Sequence, residues 1–173
     1  FGFRCGWAPE SRLLNPDLAG GGLLDVGVYT ISYSSMILGT AASATGFAHI
    51  GDTGVDEQAS MSLCYPEGKL ATLFCSVRTS TPHTARICGT DGQIFVEHFW
   101  NAPKATLTRP KHEPEVLDMA HEINGFEYEI REVHRCLSEG LLESPDMPVS
   151  ESLGIAETMD QLRAQWGLTF PME

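Results

Sequence analysis

Positive charge is scarce in this chain: 11 Lys and Arg stand against 23 Asp and Glu in 173 residues, a formal net charge of −12 at pH 7. The deficit excludes nucleic-acid binding through basic patches and adsorption to an anionic membrane surface. Acidity itself serves solubility and names no partner. No stretch approaches the ~18 consecutive apolar residues of a membrane helix. Cys5, Cys64, Cys75, Cys88 and Cys136 are scattered singly. There is no C-x-x-C pair and the total is odd, so reduced thiols of a cytoplasmic protein fit better than a disulfide framework. Cys64 and Cys75 lie in apolar, strand-like runs and read as small core residues. His49, His83, His98, His112, His121 and His134 form no H-x-x-x-H and join no cysteine at zinc spacing, so no metal site is expected. G-x-S-x-G, Walker, kinase, EF-hand and G-x-G-x-x-G patterns are all missing.

What is present is concentrated in Gly20-Gly21-Gly22-Leu23-Leu24-Asp25-Val26-Gly27-Val28-Tyr29. An apolar helical period begins directly after three glycines, with Leu24, Val28, Ile31, Ser35 and Leu38 predicting a helix over 23–38 and Gly39 a stop. Asp25 and Tyr29, four residues apart, fall on one helix face. Two readings follow. As chemistry, they are a proton-transfer pair; the phenol, with an ordinary pKa of about 10, then needs a nearby cation to stabilise its phenolate. As packing, Asp25 favours the helix dipole from the first turn and Tyr29 fills the core. No Lys occurs before Lys69 to supply that cation. The glycine run likewise reads as an anion cradle at a helix N-terminus, as a close approach to a neighbouring domain or flat cofactor ring, or as a plain tight turn.

The remaining pattern is strand-rich, with strand signals over 41–50, 56–65, 69–79, 84–90, 93–99, 104–109 and 115–119. Turns are expected at Pro66-Glu67-Gly68-Lys69 and at Thr90-Asp91-Gly92-Gln93. Such short connections imply antiparallel pairing. Two helices close the chain, one with the stripe Phe126, Ile130, Val133 and Leu137, the other with Ile155, Met159, Leu162 and Trp166. Ser150 is expected to cap the second. The order helix, strands, helices predicts an α+β fold, an open and mostly antiparallel sheet covered on one face by helices. Its length suits a single domain, 1–173. The opening Phe1-Gly2-Phe3-Arg4 reads as though cut from something longer, with a domain expected upstream. Phe95, Phe99 and Trp100 cluster at a strand end, where aromatics wall a pocket or complete a core.

Arg12, Pro16 and the run from Gly20 to Tyr29 together resemble the signature of the Gfo/Idh/MocA oxidoreductases. Tyr at position 29 is similar to the dihydrodiol dehydrogenase and glucose-fructose oxidoreductase branch. Thr90-Asp91-Gly92-Gln93-Ile94 resembles a hairpin of the family. So do Cys136-Leu137 to Gly140, Glu143-Ser144-Pro145 and the tail from Asp160 to Leu168 its C-terminal helices. The resemblance implies a C-terminal domain that binds substrate and mediates oligomerisation. Its partner would be a Rossmann domain, which binds NAD or NADP and carries a Glu-Lys-Pro motif with the catalytic Lys. It implies Tyr29 as proton donor or acceptor, Asp25 as the group that orients the substrate and tunes that Lys, and Gly20, Gly21, Gly22 and Arg12 at the cofactor end of the cleft. Phe3 and Trp100 would line the substrate pocket. The implied substrate is a sugar, polyol or trans-dihydrodiol, the implied assembly a homodimer or higher homo-oligomer through the sheet face, and this chain alone is expected to be inactive. The competing expectation is a sensing or oligomerisation module of the same fold.

Overall fold

The computed structural model describes every residue from Phe1 to Glu173. The chain forms two units, Phe1–Pro82 with Ser150–Glu173, and His83–Val149. The α+β class and the antiparallel strands are as the sequence pattern predicts, with the strands shared between two sheets: three strands in the first unit and four in the second.

In the first unit the expected helix is present, but it opens as a π turn, Leu23–Gly27, before continuing as α1, Val28–Leu38. Gly39 ends it, its N–H bonding to Ser35 O at 2.8 Å. Strands β1 (Ser43–Ile50), β2 (Asp56–Cys64) and β3 (Leu70–Ser76) form an antiparallel meander. Ala44 of β1, Ala59, Met61 and Leu63 of β2 and Cys75 of β3 point into the core. Against that face pack Leu23, Val26 and Ile31, together with Ile155 and Leu162 of α3 (Val149–Trp166). Fully burying a side chain such as Leu63 or Leu162 stabilises the fold by about 1.5–3 kcal/mol relative to leaving it exposed. Two side chains of α3 also bond to the backbone of β1, Gln165 Nε2 to Ala44 O at 2.8 Å and Trp166 Nε1 to Gly46 O at 2.9 Å. The opposite face of the sheet is open. On it Phe47, Ser60 and Phe74 stand in one cross-strand row, with Phe47 87% exposed.

This sheet carries one irregularity. His49 pairs with Gln58 but Ile50 pairs with Asp56, so Glu57 is an extra residue on β2. A bulge reverses the inward–outward alternation beyond it. Counting back by twos from Leu63 puts Glu57 inside and Asp56 outside; the bulge turns Asp56 inward, where it has no exposed surface.

The second unit is the antiparallel sheet β4 (Ala85–Cys88), β5 (Gln93–Glu97), β6 (Lys104–Thr108) and β7 (Glu115–Asp118), with helix α2 (Phe126–Glu139). The Asp-Gly hairpin lies where expected, with Cys88 opposite Gln93. The Glu127 carboxylate closes the start of α2, accepting N–H bonds from Ile123 at 2.9 Å, Asn124 at 3.2 Å and Gly125 at 2.7 Å. Burial pushes its pKa up, but these amides outweigh it and hold the carboxyl at about 2. Three expectations need correction. Cys64, expected in the core beside Cys75, is exposed at the end of β2, where the alternation turns it outward. The stripe Phe126, Ile130, Val133 and Leu137 is exposed rather than core. Ser150 does not begin α3: the helix starts one residue earlier, and the Val149 N–H bonds to Glu143 Oε2 at 2.6 Å.

Candidate active site

Asp25 and Tyr29 sit on either side of the junction between two helical forms. Asp25 is in the middle of the π turn, while Tyr29 is in the first turn of α1. Such wide turns inside helices recur at functional sites because they shift the side chains that follow. The Tyr29 side chain does not fill the core; the residue is 47% exposed, its ring edge-on to Phe1 at 5.4 Å between centroids. Asp25 is mostly covered, its side chain 16% exposed, and pairs with Arg12, Nη2 to Oδ1 at 2.6 Å. The guanidinium balances the carboxylate's charge where it is mostly covered. A cation is therefore present beside Asp25 in this chain, supplied by an Arg thirteen positions earlier rather than by a Lys. Chemically, an exposed tyrosine four residues beyond an ion-paired carboxylate can exchange a proton with a ligand that reaches it.

The glycine run has an occupant from within the chain. Gly20, Gly21 and Gly22 are buried. A Cβ on Gly20 would meet the carbonyl oxygens of Arg12, Leu13 and Asn15 at 2.7–2.9 Å, and one on Gly21, whose φ is +117°, would meet Asp56 Oδ1 at 2.1 Å. The anion at this helix N-terminus is the Asp56 carboxylate, whose Oδ2 accepts the Leu23 N–H at 2.6 Å. Burial raises the Asp56 carboxyl to about 6; the Leu23, Asp56 and Gly22 amides and the more distant Arg163 pull it part of the way back. A dinucleotide phosphate does not fit the glycine run, because Asp56 and main-chain carbonyls take the space. Under the same turn, a Cβ on Gly27 would come to 3.1 Å from Cys75 Sγ. That thiol is pushed up to about 12 by burial, with the Asp56 charge adding to the rise.

The other predicted residues are placed differently. Phe3 lies partly buried against the hydrophobic core, its N–H bonded to Ser76 O at 3.0 Å; the ring that meets Tyr29 belongs to Phe1. Trp100 is in the second unit, half-exposed, with its indole N–H donating to His83 Nδ1 at 3.4 Å. A polar cavity of about 270 Å³ in the first unit is lined by Trp7, His49, Gly51, Asp52, Glu57 and Arg78; Arg12, Asp25 and Tyr29 do not line it. No group of His, Cys, Asp and Glu is arranged to hold a metal ion. No helix is long and apolar enough to cross a membrane. Asp56 and Phe1 were not among the sequence candidates. The only trace of Asp56 in the sequence is an acid just ahead of an alternating strand.

Residues 1–95 match the model of the GFO/IDH/MocA C-terminal domain. The mouse trans-1,2-dihydrobenzene-1,2-diol dehydrogenase is 36% identical, covering 100% of this chain and 54% of that protein. Its Xenopus tropicalis counterpart is 33% identical over 92% of this chain and 51% of its own length. The chain belongs to the GFO/IDH/MocA family, and it spans about half the length of the curated relatives it matches. Among solved structures, the 3-ketoreductase KijD10 from Actinomadura kijaniata, crystallised with NADP and TDP-benzene, superposes with a TM-score of 0.76. The identity is 24%, over 95% of this chain and 51% of that one, a likeness of fold.

Proposed function

We propose that this chain is the substrate-binding part of an NAD(P)-dependent oxidoreductase acting on a CH–OH group of a sugar, polyol or trans-dihydrodiol, with Tyr29 as the proton donor or acceptor. The observation that carries this reading is the exposure of Tyr29 on the helix that begins with Asp25, itself ion-paired to Arg12. In the oxidising direction the Tyr29 oxygen takes the proton of the substrate hydroxyl; in the reducing direction the same O–H returns it to the new alkoxide. Asp25 orients the substrate, and Arg12 holds the Asp25 carboxylate in place through their ion pair. A bound nicotinamide accepts or returns the hydride. Because the glycine run is filled from within, we place the cofactor mainly on groups outside this chain. The names of the relatives support the reaction class, and the NADP bound to KijD10 supports the cofactor.

The test is turnover with trans-1,2-dihydrobenzene-1,2-diol, and with a panel of polyols and aldoses, using NADP⁺ and NAD⁺. The full-length protein should reduce one cofactor with at least one substrate, and the isolated 173 residues should reduce none. Turnover by the isolated chain, or none by the full-length protein across the panel, contradicts the proposal.

The open sheet face favours self-association as a second property of the domain. Phe47, Leu70 and Phe74 expose apolar surface on it, and two copies meeting face to face would cover it. Sedimentation of the full-length protein should give a dimer or larger, which Phe47→Asp should dissociate. A wild-type monomer would count against the pairing.

A further inference from the structure

We infer that Asp56 is a positioning residue for the proposed active site: its buried carboxylate seats the π turn that carries Asp25 and leads into Tyr29. The inference rests on the oxidoreductase reading and deepens it. Three geometric facts converge. Asp56 Oδ2 holds the Leu23 N–H at 2.6 Å, and Leu23 O accepts the Val28 N–H, so a single residue, Leu23, links the carboxylate to the far end of the turn. Asp56 Oδ1 lies where a side chain on residue 21 would be, so the chain must pass over it as glycine. At its other end the turn rests through Gly27 on Cys75, which leaves it little freedom to shift once Asp56 is in place.

The placement is costly, which argues for a role beyond folding. Asp56 has no exposed surface, and its Oδ1 has no hydrogen-bond partner. A buried carboxylate so incompletely paired opposes folding once charged. The other titratable or charged groups acting on it are the Cys75 thiol of β3, neutral throughout the physiological range, and the Arg163 guanidinium of α3. Protein sites that keep such strain often use it to hold functional geometry.

The experiment is Asp56→Asn in the full-length protein, assayed with trans-1,2-dihydrobenzene-1,2-diol and NADP⁺, or with whichever substrate of the panel is turned over. The amide oxygen can still accept the Leu23 N–H, but the charge is gone. Displacement of reacting groups by about 1 Å costs on the order of 100-fold in rate, so kcat should fall about 10- to 100-fold with KM within about twofold. The melting temperature at pH 7 should not fall, and the wild-type inflection of log kcat near pH 6 should disappear. A residue needed only for folding would lower the melting temperature and leave kcat and its pH profile alone. Gly21→Ala, which drives a methyl into Oδ1 while keeping the charge, should give the same split between kcat and KM. Wild-type kcat in both variants overturns the inference, and so does collapse of both folds. If Tyr29→Phe keeps full turnover, the oxidoreductase reading fails on its own. Hydrogen exchange then still tests Asp56, because Asp56→Asn should speed exchange over residues 20–29 and leave the rest of β2 and β3 unchanged; equal exchange there would refute it.

Discussion

Tyr29→Phe in the full-length protein is expected to lower kcat by about 10²- to 10⁴-fold, the usual worth of one positioned acid–base group, while cofactor affinity stays as it was. The substitution is clean. The Tyr29 ring packs edge-on against Phe1, and phenylalanine keeps that contact. The side chain is half exposed, so losing the hydroxyl leaves no buried partner unsatisfied. A fall in kcat and kcat/KM together would mean an interaction made only in the transition state. Steady-state kinetics with a parallel fluorescence titration of NADP⁺ would check it. Near-wild-type kcat would instead favour the sensing module, which has no use for the phenol's proton.

The second large effect concerns pH and stability. The Asp56 carboxyl titrates at about 6 in the folded chain against an ordinary 3.8. Below about pH 4 both folded and unfolded states hold the proton, and the group contributes no difference. Between those two values the unfolded state releases its proton and the folded state keeps it, so stability falls as pH rises. Above about pH 6 both states are charged, and the folded chain carries a constant penalty of about 3 kcal/mol. Urea unfolding from pH 4 to 7 should therefore show the wild type losing about 3 kcal/mol relative to Asp56→Asn. Other carboxyls cancel in that difference. A difference that stays level with pH would mean that the buried carboxylate is not charged at a cost.

Much of this architecture was legible in the sequence because it follows from local periodicity. Ala59, Met61 and Leu63 alternate, and they are buried as alternation requires. Ile155 and Leu162 recur at the helical period, and they face the core. The Asp25–Tyr29 pair was visible from its spacing. Its partner was not: Arg12 was read as facing a cofactor, and only folding back of the irregular segment before the glycines brings it to Asp25. Asp56 escaped because one extra residue at Glu57 reverses the phase of the strand, and no rule of alternation anticipates a bulge. The α2 stripe failed for a different reason. Periodicity says which residues share a face, but not whether anything covers it, and Phe126 to Leu137 face solvent.

Because Gly21 makes room for a carboxylate of the same polypeptide and Gly20 for its main-chain carbonyls, the retention of these glycines answers to folding before it answers to turnover. A relative without redox chemistry would still be obliged to keep them, whereas nothing in its interior would defend the hydroxyl at position 29. The glycine string is therefore the mark of a shared scaffold, and the proposed chemistry is to be judged by the phenol.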